Sequence, residues 1–249
     1  MTYRFVTSMS KEGYEQYGRN FLDSFLEKCA PRLSIHVFSE DDLESDSEWI
    51  HGIWRLLEEP GLPDFLSACP IPESPHYQWQ AGRFAKKIFA ISSDKLPKDG
   101  WRIWLDADVI VDKPFTVEFL RFVCPFVPLQ ANYIGSYLGR KDWHHSECGW
   151  VAYNLENGGL DFLREFREMY TSGEIFEYLE WHDSYLFDRL RERRPENWFN
   201  ISADIPGMHP WDETILGEYM RHLKGPLRKK GKSGNVPADY WSEKEQNAV

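Results

Sequence analysis

The sequence predicts one α/β domain in which a sheet is flanked by helices, and three observations carry that expectation. Strand-like apolar segments alternate with amphipathic helical ones in the order strand, helix, strand, helices, strand. The chain has 249 residues, 42% of them hydrophobic and 16% aromatic, which is enough for one sizeable core and short for two. Between them lies WRIWLDADVIV, Trp101 to Val111, an apolar strand that runs straight into two carboxylates, Asp106 and Asp108.

Taken in order, YRFVT (Tyr3 to Thr7) reads as the first strand, and Ser8 to Gly13 as a polar loop at its carboxyl end. Nucleotides bind at that edge of open α/β sheets, so Thr7 and Ser8 are candidates for base and ribose contacts. Tyr14 to Lys28 has the spacing of an amphipathic helix through Phe21, Phe25 and Leu26, and Leu33 to Phe38 reads as a second strand. Glu40 to Ser47 is acidic and fits a loop or a helix start. Pro60 to Pro75 carries repeated prolines and reads as irregular. In the helical segment RFAKKIFAI, residues Ala81, Phe84, Ala85, Ile88 and Ile91 form the stripe expected to be buried, while Arg83 and Lys87 share another face. Phe126 to Ala131 and Gly149 to Leu155 are the next strands expected, followed by helices around Leu160 to Tyr170 and Ser184 to Arg193. The Arg191 to Arg194 cluster reads as a solvated helix end. From Asn197 the sequence turns to loop and short elements.

The formal charge of −11 argues against a generally basic nucleic-acid surface. Arg221, Lys224, Arg228, Lys229, Lys230 and Lys232 nevertheless form a local positive block, enough for a diphosphate or a stretch of phosphate backbone. Cys29, Cys69, Cys124 and Cys148 show neither metal-type pairing nor a compact disulfide framework, which predicts reduced thiols. MTYRFVTSMSKEG moves directly into a strand without a basic leader, and no run approaches the ~20 apolar residues of a membrane span, so a cytoplasmic location is expected. The 11 tryptophans suit core filling as well as sugar stacking; Trp150, Trp181 and Trp211 lie in segments that carry other signals.

Two segments carry chemistry. In an extended strand Asp106 and Asp108 would project to one side, and paired carboxylates repel unless something positive sits between them. Mg²⁺ or Mn²⁺ accepts carboxylate oxygens and keeps positions open for phosphate. An acidic turn bonded to nearby amides fits the same two residues. Far downstream, HLKGPLR offers the His222 imidazole, Gly225 where backbone can approach a ligand, and the Arg228 guanidinium for phosphate oxygens. A basic loop ending a helix, with Gly225 as its cap, fits that segment too.

LDADV after an apolar strand, together with a late H-x-x-G-P-L-[KR], resembles the retaining glycosyltransferases of family 8, the glycogenin and bacterial galactosyltransferase types. The resemblance implies the Rossmann-like GT-A fold. It implies that Asp106, Asp108 and His222 hold Mn²⁺, or Mg²⁺, against the diphosphate of a UDP-sugar, with Asp106, Gly225 and Arg228 also reaching the donor. Arg228 stands where lysine is usual, and Lys229 and Lys230 follow where Pro-Trp is common. Arg83 matches an arginine that reaches the donor, and Lys87 is a second candidate. In ECGWVAYNLEN, Glu147 stands where the family usually has asparagine, and a carboxylate there could bond sugar hydroxyls or support positive charge on the anomeric carbon. WHDSYLFDRL matches the segment D-Q-D-x-L imperfectly. It makes Asp183 both a helix N-cap and the residue expected nearest the reacting sugar.

The function so implied is metal-dependent transfer of a sugar, with retention, from a nucleoside diphosphate donor to an acceptor hydroxyl. That hydroxyl could belong to a glycan, a protein, a small molecule or a hydroxymethylated base in DNA. His209 and Trp211 fit the acceptor side or a buried position, and residues 229–249 fit a flexible tail or a segment that closes over the donor. A nucleotidyltransferase, or a non-catalytic protein that binds sugar nucleotides or glycans, is the alternative.

Overall fold

The computed structural model describes residues 1–43, 50–71, 76–125, 133–140, 145–194, 196–203 and 210–223. Its centre is β1 (Tyr3–Met9), which pairs in parallel with β2 (Ser34–Ser39) on one side and β4 (Trp101–Leu105) on the other. Outward from β2 lies β3 (Ile50–Arg55), also parallel. Beyond β4 come β7 (Glu147–Asn154), antiparallel to both its neighbours, then β6 (Tyr133–Leu138) and β8 (Asn197–Asn200), giving the order β3-β2-β1-β4-β7-β6-β8. A separate ribbon joins β5 (Val109–Val111) to β9 (Met220–His222).

All five residues of β4 are buried, because helices cover both faces of the sheet and leave no solvated side. The strand alternates between two cores. Trp101, Ile103 and Leu105 enter one, packed against α2 (Arg19–Cys29), α5 (Val117–Val123) and α8 (Ile215–Tyr219). Trp104 enters the other, with α3 (Leu62–Ala68), α4 (Ala81–Ile91), α6 (Gly159–Thr171) and α7 (Asp183–Arg193). In α4 the stripe Ala81, Ala85, Ile88 and Ile91 is buried as its spacing predicts, whereas Phe84 is only half-buried. No helix among the described residues is long and apolar enough to cross a membrane, and all four cysteines are free. Burial pushes the Cys29 thiol up to about 11.

Several segments differ from the sequence reading. The first strand continues through Ser8 and Met9, which pair with Phe38 and Ser39, so the expected loop is strand and then helix. Helix α1 (Lys11–Gly13) begins at once because the Ser10 hydroxyl accepts from Gly13 N at 3.1 Å, and a π turn, Tyr14–Gly18, connects it to α2. The proline-rich stretch holds α3, since Pro63 sits in its first turn, where no N–H is required. IHGIWR mixes His, Gly and Arg, which hid the edge strand β3 from any period-two pattern. The expected strand Phe126 to Ala131 lies outside the described residues. The arginines ending α7 are ion-paired rather than simply solvated: Arg193 to Glu174 at 2.6 Å and Arg194 to Glu165 at 2.9 Å.

Candidate functional site

WRIWLDADVIV is not one strand. After Leu105 the backbone turns through Asp106, Ala107 and Asp108, and β5 leaves the sheet to pair with β9. The two carboxylates therefore converge because the chain turns there, a correction to the expectation that an extended strand aligns them. The Asp106 amide donates to Gly149 O at 3.0 Å, and the Trp104 indole N–H donates to Asp106 Oδ1 at 2.6 Å. The β5–β9 ribbon sets Val109 opposite His222, and Leu223 N donates to Asp108 O at 2.9 Å. That pairing carries the imidazole across 114 residues of sequence to within 3.1 Å of Asp108 Oδ1, Nε2 to oxygen, and 3.7 Å of Asp106 Oδ2. One ligand atom from each of the three residues lies within 4.8 Å of the others.

Three further elements converge on this point. Because β7 runs antiparallel to β4, its first residues reach the carboxyl edge where β4 ends. There the buried Glu147 accepts from Gly149 N at 3.2 Å, pairs with the Arg140 guanidinium, and sets Oε1 3.9 Å from His222 Nδ1. Glu147 thus stands behind the imidazole. His222 Nδ1 is itself buried without a hydrogen bond, while Nε2 faces the aspartates. The Trp211 ring lies 4.7 Å from the His222 ring, and its N–H donates to Met220 O at 3.1 Å. Trp211 is therefore a buried support for the imidazole, not a residue lining an open acceptor side.

Asp183 opens α7 but does not cap it; the cap is His182, whose Nδ1 accepts from Tyr185 N. The Asp183 carboxylate is buried 2.7 Å from Lys87 Nζ, which also lies 3.3 Å from Asp106 Oδ1 and donates to Cys148 O. Burial alone would raise the Asp183 pKa, yet the Lys87 ammonium outweighs it and holds the carboxyl below its usual range. Burial would likewise lower Lys87, and the Asp106 and Asp183 carboxylates overcome it and raise the amine. Lys87 therefore ties the aspartate pair to Asp183, a role no helical periodicity could reveal. Arg83, one turn earlier, is exposed with its guanidinium over the Phe84 ring.

Thr7 and Ser8 sit in β1 at the same carboxyl edge, with Thr7 fully buried and its hydroxyl without a hydrogen bond. Gly225, Arg228 and His209 lie outside the described residues, as does the basic run from Lys224. Arg221, the first member of that basic block, pairs with Asp112 at 2.7 Å. Trp150 is core, and Trp181 donates to Tyr178 O at 3.2 Å.

No family model matches the sequence, and no curated protein does. Solved structures do. One is a glycosyltransferase involved in glycosylation of the major capsid of PBCV-1, at 11% identity and a TM-score of 0.51 over 93% of this chain and 100% of that one. Another is the glycosyltransferase GlyE of Streptococcus pneumoniae TIGR4, at 12% identity and a TM-score of 0.53, where 98% of this chain spans 60% of that one. The fold is one found in glycosyltransferases.

Charge of both signs meets at the site: Asp106 and Asp183 lie against Lys87, Glu147 against Arg140, and Asp108 against His222. Two carboxylate oxygens and an imidazole nitrogen are a donor set that a borderline divalent ion such as Mn²⁺ accepts, and the harder Mg²⁺ would lean on the two carboxylates. The residues present fit such an ion. A carboxylate at the far ring nitrogen, as Glu147 is for His222, is the usual way a ligating histidine is oriented.

Proposed function

We propose that this protein is a metal-dependent glycosyltransferase that moves a sugar from a nucleoside diphosphate donor, a UDP-sugar, to an acceptor hydroxyl with retention at the anomeric carbon. The observation that carries the reading is the meeting of Asp106, Asp108 and His222 at the carboxyl edge of a sheet whose fold glycosyltransferases share. Asp106, Asp108 and His222 would hold Mn²⁺ or Mg²⁺. Bound there, the ion supplies positive charge to the diphosphate oxygens while the bond to the sugar stretches.

The remaining residues divide the work. Asp183, kept anionic by Lys87, is suited to steady positive charge developing on the anomeric carbon. Lys87 holds Asp106 and Asp183 at a fixed separation, so neither has to reorganise as the sugar departs. Glu147, fixed by Arg140, puts a negative charge 3.9 Å behind His222 Nδ1, where it favours the imidazole with its proton on that side and Nε2 free for the ion. Ser8, near the carboxyl end of β1, is assigned to the base and ribose, with the fully buried Thr7 supporting it from within the sheet, and Gly225 and Arg228 to the diphosphate. The acceptor is a hydroxyl of a glycan, a protein, a small molecule or a hydroxymethylated DNA base.

Asp108→Asn tests the reading, because it keeps the shape of the turn and removes one ligand charge. Calorimetry with UDP and Mn²⁺ should show at least a hundredfold loss of affinity, with circular dichroism unchanged. Undiminished binding would overturn the assignment. Incubating nucleotide sugars with Mn²⁺ and no acceptor should release a nucleoside diphosphate; release of pyrophosphate from sugar phosphate and nucleotide would identify a nucleotidyltransferase instead.

A further inference from the structure

A second cluster of metal-type donors lies beside Asp183 and belongs to no part of the site described above. His145, just before β7, Glu180 and His182 bring one ligand atom each to within 4.8 Å of one another. Both imidazoles address the same oxygen, with His182 Nε2 2.7 Å and His145 Nε2 3.7 Å from Glu180 Oε2. We propose that His145, Glu180 and His182 form a second metal site, one that takes Zn²⁺. This inference does not depend on the transferase reading.

The donor set argues for zinc. Two imidazoles and one carboxylate with a position left open are a common zinc set, whereas a harder ion such as Mg²⁺ prefers oxygen throughout. Bonds of about 2.0–2.1 Å in a tetrahedron separate neighbouring ligand atoms by about 3.3 Å. The two separations from Glu180 Oε2, 2.7 and 3.7 Å, lie on either side of that value, and all three ligand atoms are within 4.8 Å of one another. His145 and Glu180 are half-buried, which leaves access from solvent, while His182 is buried.

The surroundings are built as for a ligating histidine. His145 Nδ1, on the far side of the ring, lies 3.9 Å from Asp188 Oδ2. That carboxylate is buried and anchored by Ser146, through its amide at 2.8 Å and its hydroxyl at 2.6 Å. Tyr185 meets the His145 ring edge-on at 4.9 Å, and Tyr77 meets the His182 ring at 5.3 Å, so both imidazoles are held in orientation. His182 Nδ1 accepts from Tyr185 N at 3.4 Å, a long bond. Coordination through Nε2 moves the ring proton to Nδ1, gives up that contact, and replaces the 2.7 Å hydrogen bond between Nε2 and Glu180 with an ion held by both groups. Because Asp183 directly follows His182, an ion on the imidazole would anchor the chain at the start of α7 in place of the lost capping bond.

The test uses the full chain, stripped with chelator and titrated with Zn²⁺ alone. Asp108→Asn, which disables the first cluster, should still bind one equivalent of zinc. Adding His145→Ala or, separately, Glu180→Gln should weaken that zinc at least tenfold. Co²⁺ in place of zinc should give the visible absorption of a tetrahedral site in Asp108→Asn, lost in both double variants. Metal-free His145→Ala should keep the circular dichroism of the parent, which reports that it folds. Zinc affinity unchanged in both double variants, or no zinc bound by Asp108→Asn, would overturn the proposal.

Discussion

A β-carbon at position 149 would lie 2.5 Å from His222 Cε1 and 3.0 Å from its Nδ1, so the absence of a side chain there is what lets the imidazole approach the aspartates. The backbone of the same residue accepts from the Asp106 amide, which makes Gly149 a hinge point for two of the three proposed ligands. Gly149→Ala should push the ring away from Asp108 and weaken Mn²⁺ about 10–100-fold, the range typical when the support of a ligating histidine is lost. Titration of Mn²⁺ followed by paramagnetic resonance measures this directly, and an unchanged affinity would mean that His222 need not sit where it does. At this scale the sequence was informative where chemistry is carried by residue type. Asp106, Asp108 and His222 could be singled out because a carboxylate pair directly after an apolar strand and the spacing of HLKGPLR are distinctive. Gly149 and Lys87 could not be ranked, because their importance comes from β9 and α7 packing against them, and those contacts are distant in sequence.

Among the elements, β4 carries a charge in its middle that its apolar pattern does not explain. Arg102 is 0% exposed and lies on the face of the sheet covered by α4. Its guanidinium donates to Ile91 O at 2.7 Å and Pro97 O at 2.8 Å, with Ser93 O and Leu96 O at 3.5 Å. These carbonyls end α4 and form the turn back into β4, where no further helical amide is available to them. Burial, with a smaller contribution from Arg4, pushes the Arg102 pKa down to about 10, so the group remains charged near neutral pH. Arg102→Met keeps the bulk and strands the carbonyls, and should destabilise the protein by about 2–4 kcal/mol in urea unfolding. An effect under about 0.5 kcal/mol, the size usual for surface changes, would show that the carbonyls find other partners. Helices α4 and α6 could be read from periodicity because their apolar stripes face a core directly. The edge strand β3 could not, since with a neighbour on one side only it has no need of a continuous apolar run. The division of WRIWLDADVIV was equally hidden, because β5 earns its burial from β9 and not from the sheet that the preceding residues enter.

For the molecule as a whole, the site exists only when β4, β7, β9, α4 and α7 are in place, since each supplies at least one of the charged groups or their supports. Folding therefore brings together carboxylates that repel one another, and among the described residues Lys87 and Arg140 offset part of that repulsion. The chain as a whole is also acidic, at −11, so nothing in its overall charge relieves the cluster. A ligand that supplies two positive charges at this point should stabilise the fold, and a diphosphate should stabilise it further only if it shares the ion. With the Mn²⁺–UDP pair acting as one ligand near 100 times its dissociation constant, mass action adds about 2.7 kcal/mol. For a protein of this size that raises Tm by roughly 5–11 °C. Differential scanning calorimetry should show UDP alone contributing little, Mn²⁺ alone contributing part, and the pair exceeding the sum of the two, with chelator restoring the starting Tm. In Asp108→Asn the excess should vanish while the Tm without ligand stays level or rises, because one repelling carboxylate has gone. A purely additive pair, or an excess that survives in Asp108→Asn, would mean that ion and nucleotide bind at separate places and that these acids serve the fold alone.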